Sequence, residues 1–499
     1  MCSGVGNMAK GFNEKKYIKR QTEEILKRVK QFNNKLYLEF GGKMFDDLSA
    51  SRVIPGFKPN SKIQVLKALK NKLEVILCIN ANDIEKRKVR ADYGITYDVE
   101  VIRLINKLSD TGISINSVVI TQYANQPSAI AFQKKLERSN IKTYIHTNTK
   151  GYPNDIDIIV SDEGYGANPY IETTKPIVIV ASPGAKSGKL GTCLSQLYHE
   201  HKRGIKAGYA KFETFPVWNL PLKHPVNVSY EAVTADVKDF NMIDTFHLEH
   251  YKKQTVNYNR DMEIFPVLKR ILEKIYGKSP YKSPTDMGVN MIGFCIDNDE
   301  VVKTAARKEI IGRYYKTLCY YKEGIFEEEV ATRIKMLMNE LDITIDEKPV
   351  IKAALLKHLE SNRPAVAIEV NKRKIIVGRE TEFFTAPASA FINAIKYLAK
   401  ISDEIHLLSP VRLKSVIKFK SEVYNEKNPR LNLHDVILAL NIQAATNSTV
   451  EVALSKVKLL NSAPAHSSHF ISTADHNIMT SLGINFTSEP EYYLNNIEI

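Results

Sequence analysis

The sequence predicts an α/β protein: a mostly parallel, Rossmann-like or P-loop-like sheet, then a helical section, then a C-terminal α+β domain. Three observations carry this expectation. The apolar run 177–181 has the character of a strand buried on both faces, and it leads through a loop of small and basic residues into a helix over 192–203. Upstream of it, strand-like runs alternate with amphipathic helical stretches, the order of a parallel sheet covered by helices on both faces. Beyond Pro364 the order changes to a strand pair followed by helices.

Taken along the chain, periodicity predicts a helix over 17–32, a strand over 35–40, a helix over 61–70 and a strand over 73–79. A helix over 97–108, a strand over 117–122, a helix over 129–139 and strands over 142–146 and 156–160 follow. The helix at 192–203 leads to a strand over 205–215. Helices are expected over 264–276, 301–321 and 327–341. In the last part, strands over 366–370 and 374–377 pair around Asn371-Lys372-Arg373. A helix over 388–399, a strand over 404–408 and helices over 433–441, 449–459 and 474–482 complete the chain. The expected divisions are 1–265 for the α/β phosphate-binding domain, 266–350 for the helical section and 351–499 for the C-terminal domain.

With 499 residues, the chain is too long for one ordinary core. Its 43% apolar and 25% charged residues are those of a globular protein, and no apolar stretch reaches membrane-spanning length. The first residues carry no signal-peptide pattern, so a cytoplasmic location is expected. Five cysteines, Cys2, Cys78, Cys193, Cys295 and Cys319, include no C-x-x-C pair, which argues against a disulfide framework or a cysteine zinc site. The net charge of +14 comes from dispersed lysines, which suits anionic small molecules and makes nucleic acid an unlikely partner resting on charge alone.

The central loop reads Ser182-Pro183-Gly184-Ala185-Lys186-Ser187-Gly188-Lys189. A phosphate loop of the G-x-x-x-x-G-K-[ST] form would need glycine at 183 and a hydroxyl at 190, where this chain has Pro183 and Leu190. Gly184, Ser187, Gly188 and Lys189 remain as candidates for holding phosphates, and Thr192 is the nearest hydroxyl for a magnesium ion. A bland alternative is a βα turn that binds nothing. Gly41, Gly42 and Lys43, after the strand at 35–40, form a second candidate anion turn, or merely a tight turn.

The polar region 211–261 lacks periodicity and is expected to supply chemistry at the sheet rim. Lys211 is placed to reach a phosphate or carboxylate, with Glu213 beside it; His224 and His247 are candidate bases by residue type. Asp236 and Asp239 are candidate metal carboxylates. His466 and His469, three apart in an expected strand, would face opposite ways and are not expected to share a metal.

The segments LYLEFGGKMFDD, ASRVIPGF, GYAKFETFPVWNLPLKHPVN, NYNRDMEIFPVL and YKSPTDMGVNMIGF closely resemble a bacterial family of about 500-residue cytosolic proteins catalogued as a domain of unknown function. That resemblance covers the chain from about Gly11 to the C-terminal AHSSHFISTADHNIMTSLGINFTSEPEYY and names no reaction. The family's loop reads Thr-Ala-Pro-Gly-Pro-Gly-Ser-Gly-Lys, so Lys186 here stands where the family has glycine. Locally, the loop, the helix and the segment Gly204 to Lys211 resemble dethiobiotin synthetase and the synthetase domain of CTP synthase. This likeness implies ATP phosphates on the loop lysine and a substrate anion near the strand lysine.

The resulting expectation is a nucleotide-dependent enzyme, using ATP or GTP with magnesium, that activates a small phosphorylated or carboxylated substrate by phosphoryl transfer. The alternative is a non-catalytic sensor or scaffold that binds a nucleotide or phosphorylated metabolite. Neither reading involves a membrane, and both allow a homo-oligomer.

Overall fold

The computed structural model describes residues 10–90, 94–371 and 374–493. Cys2, the start of the chain and the expected turn residues Lys372 and Arg373 lie outside them. The described residues divide into two compact units, one of residues 10–231 and 238–303 and the other of 232–237 and 304 onward.

The first unit is built on seven parallel strands: β1 (Leu36–Phe40), β2 (Leu73–Asn80), β3 (Ser114–Tyr123), β4 (Thr143–Thr147), β5 (Ile177–Ala181), β6 (Gly208–Phe212) and β7 (Gly288–Val289). Their order across the sheet is β7-β6-β1-β5-β2-β3-β4, with every neighbouring pair parallel. The strands β2 and β5 are buried along their whole length, as uninterrupted runs such as Ile177-Val178-Ile179-Val180-Ala181 require when helices cover both faces.

Helix α1 (Glu14–Gln31) is capped by Asn13, whose side chain accepts from Lys16 N–H, and buries Tyr17, Gln21, Ile25 and Val29 at a spacing of four. Further helices are α2 (Ser61–Ala68), α3 (Tyr97–Asp110), α4 (Lys189–Lys202) and α5 (Asn259–Tyr276).

The chain moves from β1 toward β4 on one side, returns to the middle at β5, then passes to β6 on the far side of β1. Loops leaving the adjacent strands β1 and β5 therefore part in opposite directions and open a crevice beyond their carboxyl ends. No helix among the described residues is long and apolar enough to cross a membrane.

Two expectations in this unit need correction. Residues 156–160, read as a strand from their apolar run, contain the helical turn Ile156–Ile159. Asp155 starts it, its carboxylate accepting from Ile158 N–H at 3.0 Å, and a short apolar run carries no period to distinguish the two. The strand over 205–215 is confined to Gly208–Phe212. Strand β7 escapes pattern reading because two residues have no period. It is held by Gln21 of α1, whose amide donates to Val289 O at 2.7 Å and accepts from Met291 N–H at 2.9 Å.

The second unit contains a mixed sheet of β8 (Ala365–Val370), β9 (Lys374–Arg379), β10 (Pro464–Ser467) and β11 (Asn485–Ser488) in the order β9-β8-β10-β11. β8 runs antiparallel to both neighbours, and β10 pairs parallel with β11. Val366, Ile368 and Val370 join the core that includes Phe391 of helix α7 (Ala386–Ala399). Ala367 faces the other way, toward Val350 and Ala354 of helix α6 (Val350–Ser361). The expected strand at 404–408 is a turn, and the expected helix over 449–459 breaks into Ser448–Leu454 and a 3-10 turn at Val457–Leu460. Thus the fold is α/β with a seven-stranded parallel sheet, a helical section and a C-terminal mixed sheet with helices.

Candidate functional site

Strand β5 brings the chain to the carboxyl rim, and Ser182 to Lys189 turn it into α4. Two glycines are required there. A Cβ on Gly184 would lie 2.4 Å from the Tyr97 hydroxyl, and one on Gly188, where φ is +76°, would lie 2.7 Å from Thr121 Cβ. Lys186 is also left-handed, with φ +57°, a conformation that costs a non-glycine residue about 1–2 kcal/mol.

The loop's carbonyls are tied down. Gly184 O accepts from Ser182 Oγ at 2.7 Å and Ser187 Oγ at 2.8 Å. Lys186 O accepts from Asn80 Nδ2 at 3.3 Å, and Ser187 O from Thr121 Oγ1 at 2.9 Å. The N–H groups of Gly184, Ala185, Lys186, Gly188 and Lys189, by contrast, find no acceptor among the described residues, while that of Ser187 closes the turn toward Gly184 O. Open N–H groups in a left-handed turn at the start of a fourteen-residue helix have the geometry that can receive an anion. Lys189 folds back across it, its Nζ 3.3 Å from Ser182 Oγ and 3.9 Å from Glu39 Oε1.

Glu39 begins a row of ionisable groups. Its register partner on β6 is Lys211, and partners in a parallel pair share a face. Tyr209, two residues earlier on β6, donates its hydroxyl to Glu39 Oε2 at 2.7 Å. Lys211 donates through Nζ to the Asp261 carboxylate at the start of α5. Burial alone would lower the lysine's pKa, but the carboxylates of Asp261, Glu213 and Glu39 outweigh it and hold the ammonium charged.

Glu213 stands one row further on, with Tyr258 donating to Oε1 at 3.4 Å. Loss of water around its carboxyl, helped by the charges of Asp261 and Glu39 against the opposing pull of Lys211, raises its pKa to about 8. It retains some exposure at the rim.

The turn after β1 meets the same rim. Gly41 N–H donates to Phe212 O at 2.8 Å, and a Cβ on Gly41 would lie 2.9 Å from that oxygen. Gly42 has φ +66°, and Lys43 follows it. A further cation at this turn is one the sequence reading missed. Lys62 of α2 is 1% exposed, paired with Asp47 at 2.8 Å, and places Nζ 3.4 Å from Gly41 O. Its position on the apolar face of SKIQVLKA, among Ile63, Val65 and Leu66, was the available signal.

Residues 10–342 match the family model described as "Domain of unknown function DUF1846, N-terminal", and residues 346–497 match "Domain of unknown function DUF1846, C-terminal". The chain belongs to the DUF1846 family. It is 54% identical over 491 residues to a UPF0371 protein of Clostridium botulinum (strain Alaska E43 / Type E3), covering 97% of this chain and 98% of that one. A UPF0371 protein of Clostridium tetani (strain Massachusetts / E88) is 53% identical over the same length and with the same coverage.

Within this DUF1846 chain, the remaining candidates are each tied to other partners. Thr192, 1% exposed, turns its hydroxyl back to Gly188 O at 3.1 Å. His224 meets Asp299 Oδ1 at 3.0 Å through Nε2, and its Nδ1 accepts from Val226 N–H at 3.2 Å. His247 Nδ1 meets Ser283 Oγ at 2.9 Å. Burial lowers the pKa of both histidines, although Asp299 opposes it for the first and Asp286 for the second. Asp239 is held by Arg260 at 2.7 Å, and Asp236, in the other compact unit, by Arg313 at 3.2 Å. Among the described residues, no group of three or more His, Cys, Asp or Glu side chains is gathered as for a metal ion. Burial raises the thiol pKa of Cys193 well above its ordinary value and that of Cys78 to about 12, which leaves both unreactive.

Proposed function

We propose that this DUF1846 protein is a nucleotide-dependent enzyme. It binds the phosphates of ATP or GTP on the turn from Gly184 to Lys189 and transfers a phosphoryl group to a small phosphorylated or carboxylated substrate. The observation that carries the reading is the set of open N–H groups with Lys189 folded over them, at the crevice between β1 and β5. The glycine requirements at 184 and 188 fit it, because a side chain at either would occupy space the turn does not have. The local likeness to dethiobiotin synthetase and CTP synthase gives Lys189 the nucleotide phosphates and Lys211 the substrate side.

In the transfer, a substrate oxygen forms a bond to the γ-phosphorus while the bond to the β-bridging oxygen breaks, and the electron pair leaves with the nucleoside diphosphate. The loop N–H groups and Lys189 stabilise the charge on the moving oxygens. A hydroxyl substrate would pass its proton to Glu213, a better acceptor than an ordinary carboxylate once it is ionised. A carboxylate substrate has no proton to lose. The side chains expected to hold magnesium do not fit that role: Thr192 is turned into its helix, and Asp236 and Asp239 each hold an arginine. These side chains therefore supply no metal ligand to the transfer.

That placement of Thr192 favours a second reading, a sensor that binds nucleotide without turning it over. ADP formation from ATP, with magnesium and a bacterial metabolite extract, separates the two. The enzyme reading expects extract-stimulated ADP that falls about 100-fold or more in Lys189→Met. Binding without ADP supports the sensor, and absence of both rejects the site.

A further inference from the structure

The C-terminal unit holds a cleft of about 360 Å³ between β9, helix α7 and the turn that follows it. This volume is in the range of small-molecule sites. Phe384, Ile392 and Leu408 supply apolar wall. Lys357, Arg379 and Lys396 also line the cleft, against the one lining carboxylate, Asp403.

Lys396 is the underused group in it, and the Ser389 hydroxyl is sealed beside it. Ser389, 7% exposed, has an Oγ with no hydrogen-bond partner among the described residues. Lys396, 6% exposed, has the Asp403 carbonyl as its hydrogen-bond acceptor, at 2.9 Å, where an ammonium has three donors. The close approach of β9 to α7 is fixed by Gly378, where a Cβ would lie 2.2 Å from Ala390 N. Arg379, next along this edge strand, starts from its other face, the side on which Val377 packs toward α6, and its side chain lines the cleft from there. The turn that replaces the expected strand at 404–408 closes the far side with Ile405, His406 and Leu407.

We infer that this cleft is a second ligand site, separate from the phosphate turn, for a small organic anion with an apolar body. Lys396 and Arg379 receive the anionic head, and Phe384 with Ile392 receives the body. The site lies wholly within the C-terminal unit and does not depend on the reading proposed for the loop.

Calorimetric titration of the full chain with phenyl phosphate and with phenylacetate tests this, using inorganic phosphate and phenylethanol as controls. Saturable binding of at least one aromatic anion is expected, at least tenfold tighter than either control. Arg379→Gln should weaken it severalfold and Lys396→Met at least tenfold, with phenylacetate binding unchanged in Lys189→Ala. Arg379→Gln keeps the test valid if Lys396→Met fails to fold. Loss of binding in Lys189→Ala with retention in the cleft variants would assign the anion to the loop and overturn the inference. So would equal binding of phenylethanol, or failure of both aromatic anions to bind.

Discussion

Lys189 Nζ lies 3.3 Å from Ser182 Oγ, so the lysine that opens α4 reaches back to the residue that ends the run from β5. The same ammonium is 3.9 Å from Glu39 Oε1 on the neighbouring strand. One side chain thus spans the turn and meets the first carboxylate of the row that continues through Lys211 and Asp261.

Gly188→Ala should damage the turn twice over. A Cβ would clash with Thr121 and force a non-glycine residue to hold φ +76°. The expected loss is about 1–3 kcal/mol of stability by urea unfolding, together with loss of nucleotide binding. Gly191→Ala, in the same helix with open space around it, should be neutral or slightly stabilising.

Glu213 gives the stability a particular pH dependence. Its folded pKa, about 8, is above the ordinary 4.5, so the folded state holds a proton that the unfolded state releases between those values. This group's contribution is therefore fully present below about pH 4.5 and is lost as pH rises toward 8. Relative to Glu213→Gln, the wild type should lose up to about 1.4 kcal/mol per pH unit across that window, measured by urea unfolding at pH 5, 6, 7 and 8. Parallel curves for the two proteins would reject the raised pKa.

Asp261→Asn would leave the buried Lys211 without the charged carboxylate that accepts its hydrogen bond. The expected cost is about 3–5 kcal/mol. The double variant Lys211→Met with Asp261→Leu should cost clearly less than the sum of its two single changes, because the pair acts as a unit. A double-variant cycle by chemical denaturation measures the coupling, and additivity would show that the pair contributes nothing as a pair.

Much of the parallel sheet was legible in the sequence because doubly buried strands are written as continuous apolar runs, as in Ile177 to Ala181. The loop was legible too, from Gly184, Gly188 and Lys189 between a strand and a helix. What escaped was set by contacts distant in sequence. Lys62 reads as an ordinary helical lysine until Asp47 and the Gly41 carbonyl are brought to it. Strand β7 exists through Gln21, 268 residues away. Thr192 is at a suggestive spacing, yet α4 turns its hydroxyl inward to Gly188 O, a rotation that spacing alone does not encode. The aspartates at 236 and 239 read as free carboxylates because the arginines that hold them come from 77 and 21 residues away.

The most direct test of the loop's role is a calorimetric titration of ATP, with and without magnesium, into wild type, Lys189→Ala and Lys43→Ala. Saturable binding to the wild type, weakened at least tenfold in Lys189→Ala, is the predicted result; tenfold corresponds to about 1.4 kcal/mol. The Lys43 variant, outside the turn, should lose severalfold less. Equal affinity in wild type and Lys189→Ala, or no binding to the wild type, would contradict a phosphate site at Gly184 to Lys189.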